Sequence, residues 1–496
     1  MKIQELFSNS AFTIPENQTL SSIMEQEVSS VEYDSRAVVA GALFVCVKGF
    51  QADGHSFAER AVQAGARVLC VERVLPEVTV PQIIVPDTRK ALAHIAARFY
   101  GEPSKQLSVV GITGTNGKTT TTYLLDSILQ HAGQKTGVIG TVETRAGDKR
   151  VQASRTTPES AELQKILAAM VQEGVESVAM EVSSHAIDLH RIDDVTFGAV
   201  AFTNLTQDHL DYHRSMERYL AAKKRLFTDF ETKARVIDID NEVGLRLASE
   251  LSADYDITTV GRSEQALIRA INLEPQMHGT KFTLVTPRGN APVELPLAGA
   301  YNIDNALVAA GCAYNLGVEP DVIARALSEA PQVPGRLERI LVGQPFEVVV
   351  DYAHTPDSLE KALNAMRAVT DGKVIVVFGC GGDRDPGKRP IMGKVAGGCS
   401  DIAIVTSDNP RSEDAIAILL QVEDGLRASG GHFSTEIDRR HAIERACVLA
   451  RPGDCVLIAG KGHEDYQIFA HHTIHFDDRE VARESLKKLG YYRDGE

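Results

Sequence analysis

The chain is poor in cysteine, and the cysteines it has follow none of the patterns that serve structure. Seven (46, 70, 312, 380, 399, 447 and 455) are scattered over 496 residues, odd in number and without a C-x-x-C pair. This argues against a disulfide framework or a zinc site and for reduced thiols in a cytosolic protein. The amino terminus, Met1-Lys2-Ile3-Gln4-Glu5-Leu6, lacks the apolar core of a signal peptide. No apolar run reaches membrane-spanning length, which speaks against membrane insertion. Low-complexity tracts and fixed-period repeats are missing. Positive charge is also in deficit: 52 Lys and Arg face 67 Asp and Glu, a net charge of −15. That balance argues against a nucleic-acid or anionic-membrane partner, so an anionic substrate requires a local cluster of Arg and Lys.

What is present is ordinary for a soluble globular chain, with 43% apolar and 24% charged residues. A chain of this length divides into about two to four domains, each with its own core.

The most informative stretch runs from Val109 to Thr120. Leu107 to Ile112 is apolar and reads as a buried strand. A Gly-rich turn follows, then a helix with Leu124, Leu125, Ile128 and Leu129 on one face and a stop at Ala132-Gly133. Strand, glycine loop and helix form a phosphate cradle, in which backbone N–H groups and the helix N-terminus face an anion. Lys118 is placed to reach the β/γ-phosphates and Thr119 to hold Mg²⁺. The usual pattern is G-x-x-x-x-G-K-[ST], but Ile112 occupies the first glycine's place and Gly114 lies two residues later. The competing reading is a structural turn with a surface lysine; the flanking strand and helix favour a mononucleotide site.

Residues 1–102 read as a small α/β unit. Strands such as Leu43–Val47 and Arg67–Val71 alternate with helix-like runs such as Phe57–Ala64. The loops Tyr33-Asp34-Ser35-Arg36 and Lys48 to Gly54 are polar, and their residues alone suggest only capped turns. Gly101-Glu102-Pro103-Ser104 reads as a linker, so the second unit spans 103–334. In it, Gly137–Thr141 reads as the strand after the phosphate-loop helix, which predicts a parallel sheet with right-handed crossovers. Val175–Met180 leads to Glu181, either a metal partner or a strand-end cap. Ser183-Ser184-His185 reads as a helix N-cap. Thr203 to His213 packs two His, two Asp and an Asn into one loop, although Mg²⁺ prefers oxygen ligands. Met216–Phe227 reads as a helix whose Lys223-Lys224-Arg225 run looks like a solvated face.

Pro331 to Gly335 marks a second boundary, and 335–496 is again α/β. Its strands are Phe346–Asp351, Lys373–Phe378, Ile402–Ser407 and Cys455–Gly460. The glycine loop after Phe378 lacks full G-x-G-x-x-G spacing, a weak case for a dinucleotide site. The loops Asp383-Arg384-Asp385, Asp408-Asn409-Pro410-Arg411 and Lys461-Gly462-His463-Glu464 should converge at the carboxyl edge of a parallel sheet. Arginine forks and acids there suit a ligand bearing carboxylate and ammonium groups; internal salt bridges are an equal alternative.

Together these motifs resemble the Mur ligases, ATP-dependent amide-forming enzymes of peptidoglycan synthesis. Thr113 to Thr119 is similar to that family's variant phosphate loop, which accounts for the displaced glycine. Asp351-Tyr352-Ala353-His354-Thr355-Pro356-Asp357, Gly379–Pro390, Asp408–Arg411 and Gly460–Gln467 are similar to the branch that adds diaminopimelate. The resemblance covers nearly the whole length. It implies a three-domain α/β Mur ligase architecture: a central P-loop parallel-sheet ATPase domain, flanked by a small N-terminal α/β domain and a C-terminal Rossmann-like α/β domain. It also implies a cytoplasmic monomer that uses ATP and Mg²⁺ to join meso-2,6-diaminopimelate to UDP-N-acetylmuramoyl-L-alanyl-D-glutamate, through an acyl phosphate.

The resemblance further implies roles for residues. ATP meets Gly114, Thr115, Asn116, Gly117, Lys118, Thr119, Thr120, Asn302, Arg336 and Asp351. Metal is held by Thr119, Glu181, His209 and Lys223, the last as a carbamate (N6-carboxylysine); Lys118, Lys223 and His209 form the catalytic group. The UDP-sugar dipeptide meets Ser35, Phe50, Gln51 and Ala52, with Thr156, Thr157, Ser183 and Arg191. The amino acid meets Arg384, Asp408, Asn409, Pro410, Arg411, Gly460 and Glu464. The chemistry of Arg411 favours diaminopimelate: lysine lacks the distal carboxylate and would leave the guanidinium unpaired. Departures from the family pattern are Arg155 before Thr156-Thr157, Ile237 to Glu242, and Arg214 after His213. Other readings are L-lysine or glutamate as acceptor, or a P-loop switch or motor that hydrolyses ATP without any acceptor.

Overall fold

Short runs of β-branched residues become buried strands, and the helices between them cover the faces of three sheets. The computed structural model describes residues 1–8, 10–49, 52–153, 155–276 and 278–492. The first sheet is parallel, in the order Val31–Glu32, Leu43–Val45, Val68–Val71, Gln82–Ile84. Helix Thr88–Phe99 buries Leu92, Ile95 and Ala96 against this sheet, and Asp87 caps it by accepting from Arg89 N and Lys90 N.

The central sheet has eleven strands. Its parallel heart runs Thr136–Ile139, Ser177–Glu181, Ser108–Thr113, Ala199–Phe202, Arg235–Asp238, Ile257–Gly261. The phosphate-loop strand therefore sits where the strand order reverses, with the loop at its carboxyl end, the position where open α/β sheets bind ligands. The strand–helix–strand expectation holds for parallel direction, but the two strands are not neighbours: Ser177–Glu181 lies between them. Ile268–Gln276 adds to this heart in parallel, and both edges are antiparallel, Glu143–Ala146 with Lys149–Gln152 on one side and Gly279–Thr286 with Gly289–Leu295 on the other.

The third sheet runs Glu338–Arg339, Glu347–Asp351, Cys455–Ala459, Val374–Phe378, Ile402–Val405, Phe433–Thr435. All but the first strand are parallel. A separate apolar core lies on each face. Among the described residues all seven cysteines are free, and no helix is long and apolar enough to cross a membrane.

One local expectation fails. In helix Met216–Thr228, Lys224 and Arg225 are partly exposed, but Lys223 is 1% exposed. It falls on the face of Tyr219, Leu226 and Phe227, four before, three after and four after it, which packs against helix Ser184–Asp188.

Candidate active site

The phosphate loop is built on two glycines that no other residue replaces easily. Gly114 has φ +153° and Gly117 φ +87°; a Cβ would lie 1.9 Å from Thr203 Oγ1 at the first and 2.1 Å from Asn305 Oδ1 at the second. The loop is tied to the next strand end by Thr115 N to Asn204 O (2.8 Å), Asn116 N to Asn204 Oδ1 (3.0 Å) and Thr203 Oγ1 to Asn116 O (2.6 Å). Lys118 folds back and donates to the carbonyls of Gly114 (2.9 Å) and Thr115 (2.8 Å). Burial lowers its ammonium pKa, against the pull of Glu181 and Asp208. Thr119 and Thr120 are buried at the start of helix Lys118–His131.

The third unit reaches this loop. Arg336, stacked over Tyr352 at 4.4 Å, donates to Thr119 Oγ1 at 3.1 Å, and Asn116 Nδ2 donates to Asp357 Oδ2 at 2.9 Å. Asn302, on helix Ala300–Asn315, accepts from Asn305 Nδ2 at 3.1 Å. Asp351 spends both oxygens on backbone, accepting from Leu337 N (2.7 Å) and Ala353 N (2.8 Å); burial raises its pKa, against Arg336.

Among the described residues no three His, Cys, Asp or Glu side chains group closely enough to hold a metal ion by themselves. Glu181 is buried and accepts from Thr141 N (2.8 Å) and Thr141 Oγ1 (2.9 Å). His209 sits at φ +54° with Nε2 3.3 Å from Asp208; burial lowers its pKa, against that carboxylate. Lys223 Nζ donates to the Gly114 carbonyl at 2.8 Å and lies 4.5 Å from the Tyr219 ring. Burial, then the charge of Lys118, drives its pKa well below the usual lysine value. These donors are too sparse for an all-protein metal cage. The Thr119 hydroxyl and the Glu181 carboxylate are the kind of oxygen donor that suits a hard cation keeping phosphate and water oxygens.

Four of the expected UDP-substrate residues form one network beside Glu181. Thr156 Oγ1 meets Thr141 Oγ1 (3.1 Å), Thr157 Oγ1 donates to Glu181 O (2.9 Å), Ser183 N donates to Thr157 Oγ1 (3.1 Å), and Arg191 donates to Thr157 O (3.2 Å). Ser183 also caps the next helix by accepting from Ala186 N, as its sequence position suggests. Glu159 gathers Arg191, Arg155 and, from the first unit, Arg89 at 2.9, 3.0 and 3.5 Å. Ser35 and Ala52 lie in the first unit and do not line the main cavity. Phe50 and Gln51 fall outside the described residues.

That cavity, about 760 Å³, opens between the central and third units. Thr156, Asp208 and His209 line one wall; Arg384, Asp408, Asn409, Arg411, Gly460 and Glu464 line the other. The three loops of the third unit thus converge as expected. Arg411 stands at φ +52°, held by its backbone N–H to Ile468 O (3.1 Å). Nη1 donates to Gly382 O (2.7 Å), leaving most of the fork unused among the described residues. Pro410 is buried in the turn before it, and Arg384 Nη1 turns to Asp383 O at 3.0 Å. A Cβ on Gly460 (φ +119°) would come within 2.7 Å of Asp408 Oδ2. Glu464 accepts from Asn409 Nδ2 at 3.0 Å. The two acids are driven apart. Burial raises the Asp408 pKa, but Lys461 and Arg439 outweigh it and the net shift is downward; burial and the charge of Asp408 raise Glu464.

Residue-by-residue reading passed over Lys461, Lys388 and His354. Lys388 Nζ donates to His354 O at 2.9 Å, and both line the cavity; burial lowers His354 to about 4. All three stand inside motifs that were legible as motifs, but nothing in the motif distinguishes an inward side chain from an outward one.

Comparison with known proteins agrees with this geometry. Residues 27–100 match the Mur ligase family catalytic domain, 112–313 the Mur ligase middle domain and 335–462 the Mur ligase glutamate ligase domain. A relative from Geobacillus kaustophilus, UDP-N-acetylmuramoyl-L-alanyl-D-glutamate–2,6-diaminopimelate ligase, is 47% identical over 94% of this chain and 96% of its own. The chain belongs to the Mur ligase family. This Mur ligase is also similar to the enzyme of the same name from Bacillus licheniformis, 45% identical over 94% of this chain and 96% of that one. A solved structure of an enzyme so named superposes with a TM-score of 0.71 at 31% identity, covering 99% of each chain. A MurF ligase from Thermotoga maritima in complex with ADP shares the fold, with a TM-score of 0.65 at 19% identity over 93% of this chain and 97% of that one.

Proposed function

We propose that this Mur ligase joins meso-2,6-diaminopimelate to UDP-N-acetylmuramoyl-L-alanyl-D-glutamate, with ATP converted to ADP and phosphate. The observation that carries the reading is the shared cavity: the amino-acid loops of the third unit face Thr156 and His209 across it, and Arg336 joins that unit to the phosphate loop. A carboxylate is a poor electrophile because its leaving group would be oxide. Transfer of the ATP γ-phosphoryl group to the D-Glu γ-carboxylate gives an acyl phosphate. The neutral amine then attacks the carbonyl carbon, the nitrogen gives up a proton, and the tetrahedral intermediate expels phosphate to leave the amide. Lys118, released from its own loop carbonyls, neutralises the transferring phosphoryl oxygens, and Arg336 exchanges the Thr119 hydroxyl for a phosphate. Mg²⁺, when bound, would supply charge neutralisation for the phosphates. The residues that would hold it are Thr119, Glu181, His209 and Lys223 as a carbamate.

Arg411 sets the acceptor. The part of its fork that Gly382 O does not engage pairs the distal carboxylate that lysine lacks, so lysine leaves those donors without a partner. In this reading 1–102 hold the UDP moiety, with Ser35, Ala52 and the adjoining Phe50-Gln51, 103–334 hold ATP, and 335–496 hold the amino acid. The enzyme works as a cytoplasmic monomer in peptidoglycan precursor synthesis.

The test is phosphate release with the UDP-dipeptide and ATP against diaminopimelate, L-lysine, glutamate and no acceptor. Diaminopimelate should exceed lysine in kcat/KM by about a thousandfold or more, the range reached when a site loses a polar partner. Release that ignores the acceptor would instead mark a nucleotide switch, and release with lysine alone would remove the role given to Arg411.

A further inference from the structure

Lys461 follows Gly460 at the carboxyl end of strand Cys455–Ala459, and its side chain is fully buried. An ammonium without water needs acceptors around it. Nζ donates to Asn409 Oδ1 at 3.0 Å and to the Tyr466 carbonyl at 2.6 Å; carboxylate oxygens of Asp408 and Glu464 stand 3.7 and 3.9 Å away. Asn409, Asp408, Glu464 and Tyr466 all line the cavity, whereas Lys461 stands behind them. Asn409 Oδ1 also accepts from Ile468 N at 3.0 Å. With both lone pairs of that oxygen engaged, the amide has one orientation, and its NH₂ is directed to the Glu464 side at 3.0 Å. One of its two N–H bonds serves Glu464, and no partner for the other is found among the described residues.

We infer that Lys461 is a positioning residue for the amino-acid pocket: it locks the Asn409 amide with its donor side toward the cavity and holds Asp408 and Glu464 on either side of that donor. The pocket then offers an N–H to an α-carboxylate and two acids to an ammonium group. This rests on reading the cavity as the amino-acid site. A buried ion network is weak support for stability, since apolar replacements of similar volume are often neutral or stabilising; what Lys461 contributes is orientation. The charges respond accordingly. Burial lowers the Lys461 pKa, against Asp408 and Glu464, and Lys461 is foremost among the charges that bring Asp408 down.

The test uses the full chain with Lys461→Met. Loss of a hydrogen bond to a charged group is worth about 1.5–3 kcal/mol, so KM for diaminopimelate should rise about tenfold to a hundredfold. KM for ATP and for the UDP-dipeptide should stay within about twofold. In an Asn409→Ala background the same substitution should cost less than in the wild type, because the share of its effect that passes through the Asn409 amide is already lost. A uniform rise for all three substrates, or effects that simply add, would overturn the inference. Should Lys461→Met fail to fold, Asn409→Asp keeps the acceptor that Lys461 holds and removes the donor facing the cavity. It should show the same selective rise, and an unchanged KM for diaminopimelate would overturn the inference. The wild type separates the two claims: if it does not use diaminopimelate, the functional reading fails; if it does and the variants match it, only the role of Lys461 fails.

Discussion

Lys223 shows what a single side chain can hide. In the sequence it is the first of three consecutive cations, and charge suggests water. The helix places it instead among Tyr219, Leu226 and Phe227, and the signal was there in their spacing. Burial and the neighbouring Lys118 favour the neutral amine, the form whose lone pair would attack CO₂ and, on release of a proton, give the carbamate of the proposed reading. The proposed change would put an anionic oxygen donor where the unmodified side chain offers none. Lys223→Ala should therefore lose about a hundredfold or more in kcat, and a short carboxylic acid in the assay should restore part of it by occupying the emptied space. Full activity in the variant, measured as phosphate release, would remove the carbamate from the mechanism. Magnitudes of this order are typical when one charge-stabilising group is deleted.

At the scale of elements, the phosphate loop and its helix form a unit that local sequence specifies almost completely. Gly117 is the N-cap of helix Lys118–His131 at φ +87°, and Gly133 follows its end at φ +83°. A left-handed conformation costs a non-glycine residue about 1–2 kcal/mol at either place. The surroundings differ: a Cβ on Gly133 meets nothing within 4 Å, whereas one on Gly117 lies 2.1 Å from Asn305 Oδ1. Gly133→Ala should lower Tm by a few degrees and leave ATP affinity intact. Gly117→Ala should lower Tm further and weaken ATP binding about tenfold or more by calorimetry, because Asn305 and the loop must move apart. Equal ATP affinity in both variants would show that the loop tolerates the shift. Helices, strands and such turns were legible because 3.6- and two-residue periods and glycine positions are local. Strand order was not. The insertion of Ser177–Glu181 between the phosphate-loop strand and Thr136–Ile139, and the antiparallel edges, follow from crossover packing between residues far apart in sequence. The site divides the same way: the loops at strand ends were visible as clusters, but Lys461 behind them becomes distinctive only once its neighbours are in place.

For the whole molecule, the arrangement of units decides whether chemistry occurs. In the proposed reading ATP meets the central unit and the amino acid the third, and the polar contacts that join the two include Arg336 to Thr119, Asn116 to Asp357, and Gln152 to Asp465 at 3.3 Å. These polar contacts can be exchanged for substrate at small cost, which suits a site assembled by closure, while Ala298 and Tyr301 pack on the apolar core of the third unit and keep the two together. Arg336 is the decisive member because it carries a guanidinium from one unit to the hydroxyl that opens the phosphate helix of the other. Its stacking on Tyr352 fixes the plane of the fork before any nucleotide arrives. If the fork stabilises charge on the transferring phosphoryl group, Arg336→Ala should lower kcat by about a hundredfold to a thousandfold. ATP affinity should change by less than about tenfold, since the loop's backbone N–H groups remain. KM for diaminopimelate should be nearly unchanged, because no residue of its pocket is altered. Single-turnover phosphate release, with ATP binding measured separately by calorimetry, distinguishes this from a hinge role. A hinge variant would move kcat and every KM together. A variant that binds ATP a hundredfold more weakly but turns over normally at saturation would mean that Arg336 holds the nucleotide and takes no part in the transfer.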